Sequence, residues 1–236
     1  MHREGNGRTR TAGLHNPELR NQILSSAPGN YVSVLYNRLL QPIADLFELM
    51  DSSGPRGPND FQASEPENGY SSAIVVLSVL ALESALNRVR HVRNENERVS
   101  PIETLRNLRA GELADDVEEL FVLRDIIAHN HIWQERIRTN NEHKTQLLSA
   151  ELSSGYGDRK YSKVVDMETR LTRRLKLDVV PIRIHRATAV VVLKTCVASF
   201  HFLEGSGGNY LPLASASVLL RDGRELPFCS WVEALR

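Results

Sequence analysis

The most apolar stretch of this chain lies at residues 70–93, with the sequence YSSAIVVLSVLALESALNRVRHVR. Over its first half this stretch leaves almost no polar face on a helix. A helix that is apolar nearly all round has to be covered by other elements, because its surface is unfavourable in water. We therefore predict a central helix over residues 70–93, with other helices packed around it.

Three other segments have the apolar periodicity of amphipathic helices. Residues 31–50 form an apolar stripe that contains Pro42, which we expect to bend the helix. A helix over residues 112–130 opens with acidic side chains, which suit the positive end of the helix dipole. A last long helix over residues 181–204, ended by Gly205, is expected to pack back on the central helix. These patterns predict a mainly α fold that is built as a helical bundle.

Beyond residue 131 the pattern changes to the alternation and β-branched composition of strands. We predict a small β-rich insertion, and a C-terminal hairpin between residues 214 and 231 that turns at Asp222 and Gly223. The predicted strands of the insertion are residues 132–138, 145–152 and 175–179. The predicted organisation has three parts, which are a flexible tail (1–16), a helical domain (17–210) and a hairpin extension (211–236). The helical domain contains a Pro- and Gly-rich surface loop at 51–68 and the β-rich insertion at 132–180.

The composition is that of an ordinary globular chain, with 236 residues, of which 41% are apolar and 25% charged. A chain of this size can bury a hydrophobic core without disulfides or metals. Its 29 basic and 29 acidic side chains give a formal net charge of zero, so no whole-protein field attracts a polyanion. Any nucleic-acid binding must therefore depend on a local patch.

The two cysteines, Cys196 and Cys229, indicate free thiols in a reducing compartment. The start of the chain does not resemble a secretory leader, and the uninterrupted apolar runs are shorter than the roughly 18 residues that span a bilayer. We expect a cytoplasmic protein without a membrane segment.

The spacing R-x-x-x-x-H occurs three times, at Arg10/His15, Arg124/His129 and Arg138/His143. Chance alone predicts about one such match in a chain rich in Arg, so context has to choose among them. The first pair lies in the predicted tail and the third in a polar turn. Only Arg124 and His129 lie on a strongly periodic helix, which selects the middle pair.

Arg124 falls on the apolar stripe of its helix, where an unpaired buried charge costs several kcal/mol. A guanidinium in that position has to be paired, extend to the edge of the stripe, or face a cleft or subunit interface. A salt bridge to Glu83, Glu118 or Asp125 that only fixes helix packing is one interpretation. A site in a cleft is the other.

His129 lies about 140° around the helix from Arg124, so the spacing alone does not place both side chains on one face. Asp125 is one turn before His129, where it could orient the imidazole and favour its protonated form. A solvated His that is stabilised by the helix dipole is an equally good explanation. His131 adds an H-x-H pattern, but no Cys or further His completes a metal site, so we predict no metal and no cofactor.

The stretch LRDIIAHN at residues 123–130 resembles the signature of HEPN domains, in which an Arg followed by a polar residue precedes a His on a core helix. Asp125 occupies the polar position. The segment SAIVVLSVLALESALN at residues 72–87 is similar to the first core helices of that family, which often carry an ALE…N pattern. Together the two stretches cover about a tenth of the chain, 24 of 236 residues, and the helix after Pro181 resembles the closing helix of the bundle.

The resemblance implies a metal-independent endoribonuclease that works as a homodimer, with two Arg–His sets in one cleft. In this interpretation His129 transfers protons and Arg124 stabilises charge on the phosphoryl oxygens, which suits both residue types. Asp125 would position His129. The implied supporting residues are Glu83, Asn87, Asn130 and His131. Glu83 and Asn87 could instead form a polar seam within an apolar helix.

Many relatives of this kind are toxins or defence effectors, so RNA is an expected substrate and an antitoxin or other protein an expected partner. Phosphate contacts could come from scattered basic residues, namely Arg88, Arg90, Arg93, Arg136 and Arg138. Two alternatives stay open. One is a catalytically silent HEPN module that binds a nucleotide, RNA or protein, and the other is a helical interaction protein in which Arg124 is only structural.

Overall fold

The computed structural model describes residues 35–52, 62–95, 99–128, 133–139, 145–152, 159–206 and 216–236. All of them belong to one compact unit that spans residues 34–236. The predicted tail at 1–16 and the beginning of the helical domain lie outside the described residues.

The described part is mainly helical, as predicted. Its helices are α1 (Tyr36–Asp51), α2 (Glu65–Val92), α3 (Pro101–Asn107), α4 (Glu112–Ala128), α5 (Arg159–Val164), α6 (Arg186–Gly205) and α7 (Phe228–Glu233). Helix α2 packs against α1, α3, α4 and α6, so the prediction of a central apolar helix is confirmed.

Helix α2 begins earlier than expected, because the predicted loop over residues 51–68 gives way to helix at Glu65. The Ser64 hydroxyl accepts a hydrogen bond from the Glu67 N–H at 3.3 Å and so caps the helix. Pro66 lies in the first turn, where the missing N–H of proline has no cost. The last four residues of the predicted loop are therefore the first turn of α2.

Helix α6 begins later than expected. Residues Pro181–Arg183 form a 3₁₀ turn, and His185 has an extended backbone that separates this turn from the helix. The buried carboxylate of Glu67 accepts the N–H of Arg186 at 3.1 Å, which satisfies the first free donor of α6. Position 181 is thus a turn that precedes the helix, while the end of α6 at Gly205 is as predicted.

The β-rich insertion begins with an antiparallel hairpin of β1 (Trp133–Thr139) and β2 (Thr145–Leu152), close to the two predicted strands. Helix α5 and two short strands, β3 (Val165–Asp166) and β4 (Leu171–Thr172), follow. The prediction of a strand over 175–179 is wrong, since only an isolated bridge joins Asp178 to Leu171.

The backbone before Asp178 cannot form a regular strand, because its donors are used elsewhere. The Glu119 carboxylate accepts the N–H groups of Arg174 and Leu175 at 2.7 and 2.8 Å. Lys176 then has a φ of 57°, which is outside the extended region. The N–H of Leu177 binds the Thr172 hydroxyl at 3.0 Å, so side chains take up donors that a regular strand would use.

The C-terminal hairpin is confirmed, with β5 (Ser217–Leu219) paired antiparallel to β6 (Glu225–Pro227). Gly223 in the turn has a φ of 86°, which glycine adopts without strain. The residues after Pro227, which were predicted as part of the hairpin, form α7 instead. The ring of Trp231 on this helix meets Phe47 edge-on at 5.5 Å, which joins α7 to α1.

Both cysteines are buried free thiols, as predicted. Burial raises the pKa of the Cys196 thiol to about 12 and, together with nearby carboxylates, that of Cys229 to about 11. Both groups are therefore protonated at neutral pH.

Helices α2 and α6 are long and apolar enough to span a membrane by length and composition. About half of the most apolar window in each helix is buried against other parts of this chain, and a core helix of a soluble protein meets the same test. The uninterrupted apolar runs are shorter than the helices themselves, which is why the sequence suggested no such segment.

Acidic side chains of α4 form ion pairs with basic side chains of the insertion. Arg174 contacts Asp116 at 2.6 Å and Glu112 at 2.9 Å, and Lys163 contacts Glu118 at 2.7 Å. The Glu119 carboxylate, 2% exposed, caps the backbone at Arg174 from beneath these exposed pairs. A buried carboxylate that accepts two N–H groups is the strongest of these contacts.

We predict that Glu119→Gln destabilises the protein by about 2 kcal/mol, because one amide N–H then stays unsatisfied in a buried position. Urea unfolding measures the difference. Glu168→Gln, at an exposed position of the same charge, is the matched control and should change stability by less than about 0.5 kcal/mol. Equal effects of the two substitutions would show that Glu119 does not anchor the insertion.

Glu118 predicts a pH dependence of stability. Burial raises its pKa, but hydrogen bonds from Lys163 and Arg106 outweigh this effect, and the pKa lies below the ordinary 4.5. The stabilisation is therefore complete above pH 4.5 and is lost as the pH falls through the folded-state pKa. We expect Glu118→Gln to lose about 1 kcal/mol at neutral pH and nothing in strong acid. Urea unfolding at both pH values tests this, and a loss that does not depend on pH would contradict it.

Candidate functional site

Arg124 lies near the end of α4 and faces α2. Its Nη1 is 3.5 Å from Oε2 of Glu83, and its Nε is 2.8 Å from Oδ1 of Asp125. The side chains of Arg124 and Glu83 are 20% and 32% exposed, whereas that of Asp125 is 46% exposed. The guanidinium is thus held at the boundary between core and solvent by carboxylates from two helices.

Phe121 contributes a third contact to Arg124, from one helical turn earlier. The guanidinium carbon lies 5.3 Å from the centre of the Phe121 ring, within the range of a cation–π interaction. The ring itself is half-buried. Sequence reasoning missed Phe121, although its position three residues before Arg124 on a helix was the available signal.

The apolar stripe of α4 explains why Arg124 is placed in this way. Leu120 and Leu123 are fully buried, whereas Ile127 is half-buried, so the stripe reaches the surface near the end of the helix. Arg124 lies on that stripe, as predicted, and its long side chain allows the charged end to reach the edge.

Two of the three carboxylates that are predicted as possible partners of Arg124 contact it in the structure. Glu83 and Asp125 contact it, whereas Glu118 contacts Arg106 and Lys163, each at 2.7 Å. Because Glu118 is one and a half turns before Arg124 on α4, its side chain points towards α3 and the insertion. Glu118 is thus not part of the site.

Asn87 does not join Glu83 at the arginine. It is exposed, and its Oδ1 accepts a hydrogen bond from Arg90 Nη1 at 3.5 Å. Next to Glu83, the Ser84 hydroxyl accepts the backbone N–H of Leu35 at 3.2 Å. The polar group on α2 therefore consists of Glu83, which holds α4, and Ser84, which holds the start of α1.

The remaining candidates, His129, Asn130 and His131, lie outside the described residues. Ala128, the last described residue of α4, directly precedes His129 in the sequence. The described site is therefore Arg124 with Glu83, Asp125 and Phe121.

The charges in this cluster favour a bound guanidinium over a bound anion. Two carboxylates against one guanidinium give a formal charge of −1, so a phosphate that approaches Arg124 competes with Glu83 and Asp125. Within the described ranges, no group of three His, Cys, Asp or Glu side chains is placed to hold a metal ion. The chemistry available from the described residues is charge stabilisation by Arg124.

Comparisons of this chain with models of protein families, with curated proteins and with solved structures find no match.

A double-mutant cycle tests the Glu83–Arg124 contact. We expect Glu83→Ala and Arg124→Ala to show a coupling free energy of about 1 kcal/mol in urea unfolding, because both side chains are partly shielded from water. The control cycle on Arg93 and Glu95 should give less than about 0.5 kcal/mol. That pair is closer, at 2.6 Å, but its arginine is 43% exposed. A coupling no larger than the control would show that the contact does not stabilise the fold.

Proposed function

We propose that this chain is a metal-independent endoribonuclease of HEPN type, which cleaves RNA with Arg124 and His129 at the cleft of a homodimer. One observation carries the proposal. Arg124 is held at the edge of the core by Glu83 and Asp125. Its pre-set position is what a residue that stabilises a transition state requires.

In the proposed reaction the ribose 2′-oxygen attacks the adjacent phosphorus and the bond to the 5′-oxygen breaks. One imidazole takes the proton of the 2′-hydroxyl and another gives a proton to the leaving 5′-oxygen. Arg124 stabilises the charge that builds on the phosphoryl oxygens. The products are a 2′,3′-cyclic phosphate and a free 5′-hydroxyl, and no metal ion is needed.

A second copy of the chain is part of the proposal because one helix offers the two residues on different sides. The spacing puts His129 about 140° around a regular helix from Arg124. In a dimer the partner's His129 completes the site of each Arg124. The two His129 side chains of the dimer then serve as base and acid. Asp125 positions His129, Glu83 positions Arg124, and Asn130 and His131 remain candidates for supporting contacts. A toxin or defence role, with an antitoxin as partner, follows from the same resemblance.

A second candidate function is a catalytically silent HEPN module that binds a nucleotide, RNA or protein partner. The charge of the cluster favours it. Arg124 already has two carboxylate partners, and a structural ion pair needs nothing more. The neutral net charge of the chain also gives no general attraction for RNA.

RNA cleavage distinguishes the two candidates. We expect the wild type to cut a labelled single-stranded RNA in EDTA and to leave 2′,3′-cyclic phosphate ends. Arg124→Ala and His129→Ala should each lower the rate by about 100-fold or more. The matched controls are Arg221→Ala and His201→Ala, at exposed positions on the β5–β6 turn and on α6, and both should cut like the wild type. All variants are checked for folding and for dimer formation.

Two outcomes would overturn the catalytic assignment. The first is a folded, dimeric wild type that leaves RNA intact, which favours the silent module. The second is cleavage by folded Arg124→Ala and His129→Ala at the wild-type rate, which removes this site from the reaction.

A further inference from the structure

The β1–β2 hairpin presents two arginines on one face. Strand β1 is regular, and the irregularity of the pairing lies in β2, where Leu148 has no partner between Ser149 and Leu147. Side chains two residues apart on a regular strand point to the same side, so Arg136 and Arg138 share a face. They lie about 6.8 Å apart along the strand, which is comparable with the distance between successive phosphates of a single strand.

Both arginines are exposed, and neither contacts a carboxylate among the described residues. Two of the other arginines that are predicted to contact phosphate are engaged within the fold. Arg93 binds Glu95 at 2.6 Å, and Arg90 donates to Asn87. Arg88 on α2 likewise contacts no carboxylate among the described residues, but it is half-buried and stands alone. The hairpin is distinguished by two exposed arginines on one face.

The rest of this face is polar and mostly exposed. The cross-strand partners of Arg136 and Arg138 are Ser149 and Gln146, and the next pair on this face is Gln134 with the acidic Glu151. On the opposite face Ala150 is buried. Arg170 Nε donates to the Ala150 carbonyl at 2.7 Å and attaches β2 to the rest of the insertion.

We infer that this arginine face of the hairpin binds the sugar–phosphate backbone of the RNA substrate. The face consists of Arg136 and Arg138, the neutral side chains of Gln134, Gln146 and Ser149, and the carboxylate of Glu151, so its formal charge is +1. The inference rests on the proposed function, because it assigns the RNA of that reaction to a surface. Guanidinium groups bind phosphate oxygens through paired hydrogen bonds, and hydroxyl and amide groups add neutral donors. A chain without net charge needs such a local patch to hold a polyanion.

Protection of the edge of the hairpin against aggregation is a different reason for charged side chains on a strand. That role is served equally by acidic residues and by lysine. Edge protection therefore does not require arginine. It does not explain why two arginines lie on one face and contact no carboxylate among the described residues.

The test is the binding of a fluorescein-labelled single-stranded RNA to the full chain, followed by anisotropy at several salt concentrations. We expect the double variant Arg136→Gln/Arg138→Gln to bind about tenfold more weakly than the wild type. The slope of log Kd against log salt should fall by about 1.4, as two lost phosphate contacts on a single strand predict. The double variant Lys194→Gln/Arg221→Gln removes the same charge at exposed positions elsewhere and should match the wild type.

RNA binding and RNA cleavage are measured separately, so the hairpin surface and the ribonuclease activity are tested independently. Wild-type affinity and slope in the hairpin variant, with RNA cleavage intact, overturn the hairpin surface and leave the ribonuclease. Loss of binding in the hairpin variant, from a wild type that binds RNA but does not cut it, supports the surface and overturns the ribonuclease. A wild type that neither binds nor cuts RNA overturns both.

Discussion

The apolar surface of α2 has to be covered on nearly every side, and the rest of the structure depends on this burial. Helices α1, α3, α4 and α6 provide the cover. The polar side chains of α2 are then tolerated because neighbouring elements satisfy them. Glu67 caps α6, the Ser71 hydroxyl contacts the Met50 sulfur at 3.0 Å, and Glu83 binds Arg124. Each of these contacts joins α2 to a different part of the chain.

Helix α4 has two roles that lie at different points along its length. Its first half carries acidic side chains that bind basic groups of the insertion and of α3, with the buried carboxylate of Glu119 at the centre. Its second half is apolar against the core and presents Arg124 at the edge. Electrostatic docking of the insertion is thus separated from the candidate site, and either can be altered without direct contact with the other.

The formal net charge of the chain is zero, but its basic side chains differ in whether they are paired within the fold. Arg174 and Lys163 of the insertion are bound to acidic residues of α4, so these two positive charges are neutralised within the fold. Arg136 and Arg138 contact no carboxylate within the described ranges. The protein can therefore offer a small positive surface although its field at long range is close to that of an uncharged molecule.

The sequence by itself determined which segments are helical and which one is central, since these follow from the period and extent of apolar residues. It also determined the β1–β2 hairpin, the turn at Gly223 and the place of Arg124 on an apolar stripe. Contacts between distant residues decided the rest. The predicted strand over 175–179 is absent because the side chains of Glu119 and Thr172 bind the N–H groups of Leu175 and Leu177. Helix α7 replaces the end of the hairpin because Trp231 packs on Phe47. The choice of Glu83 over Glu118 as partner of Arg124 has the same origin, because only the packing of α2 on α4 brings a carboxylate from a distant part of the chain to that arginine.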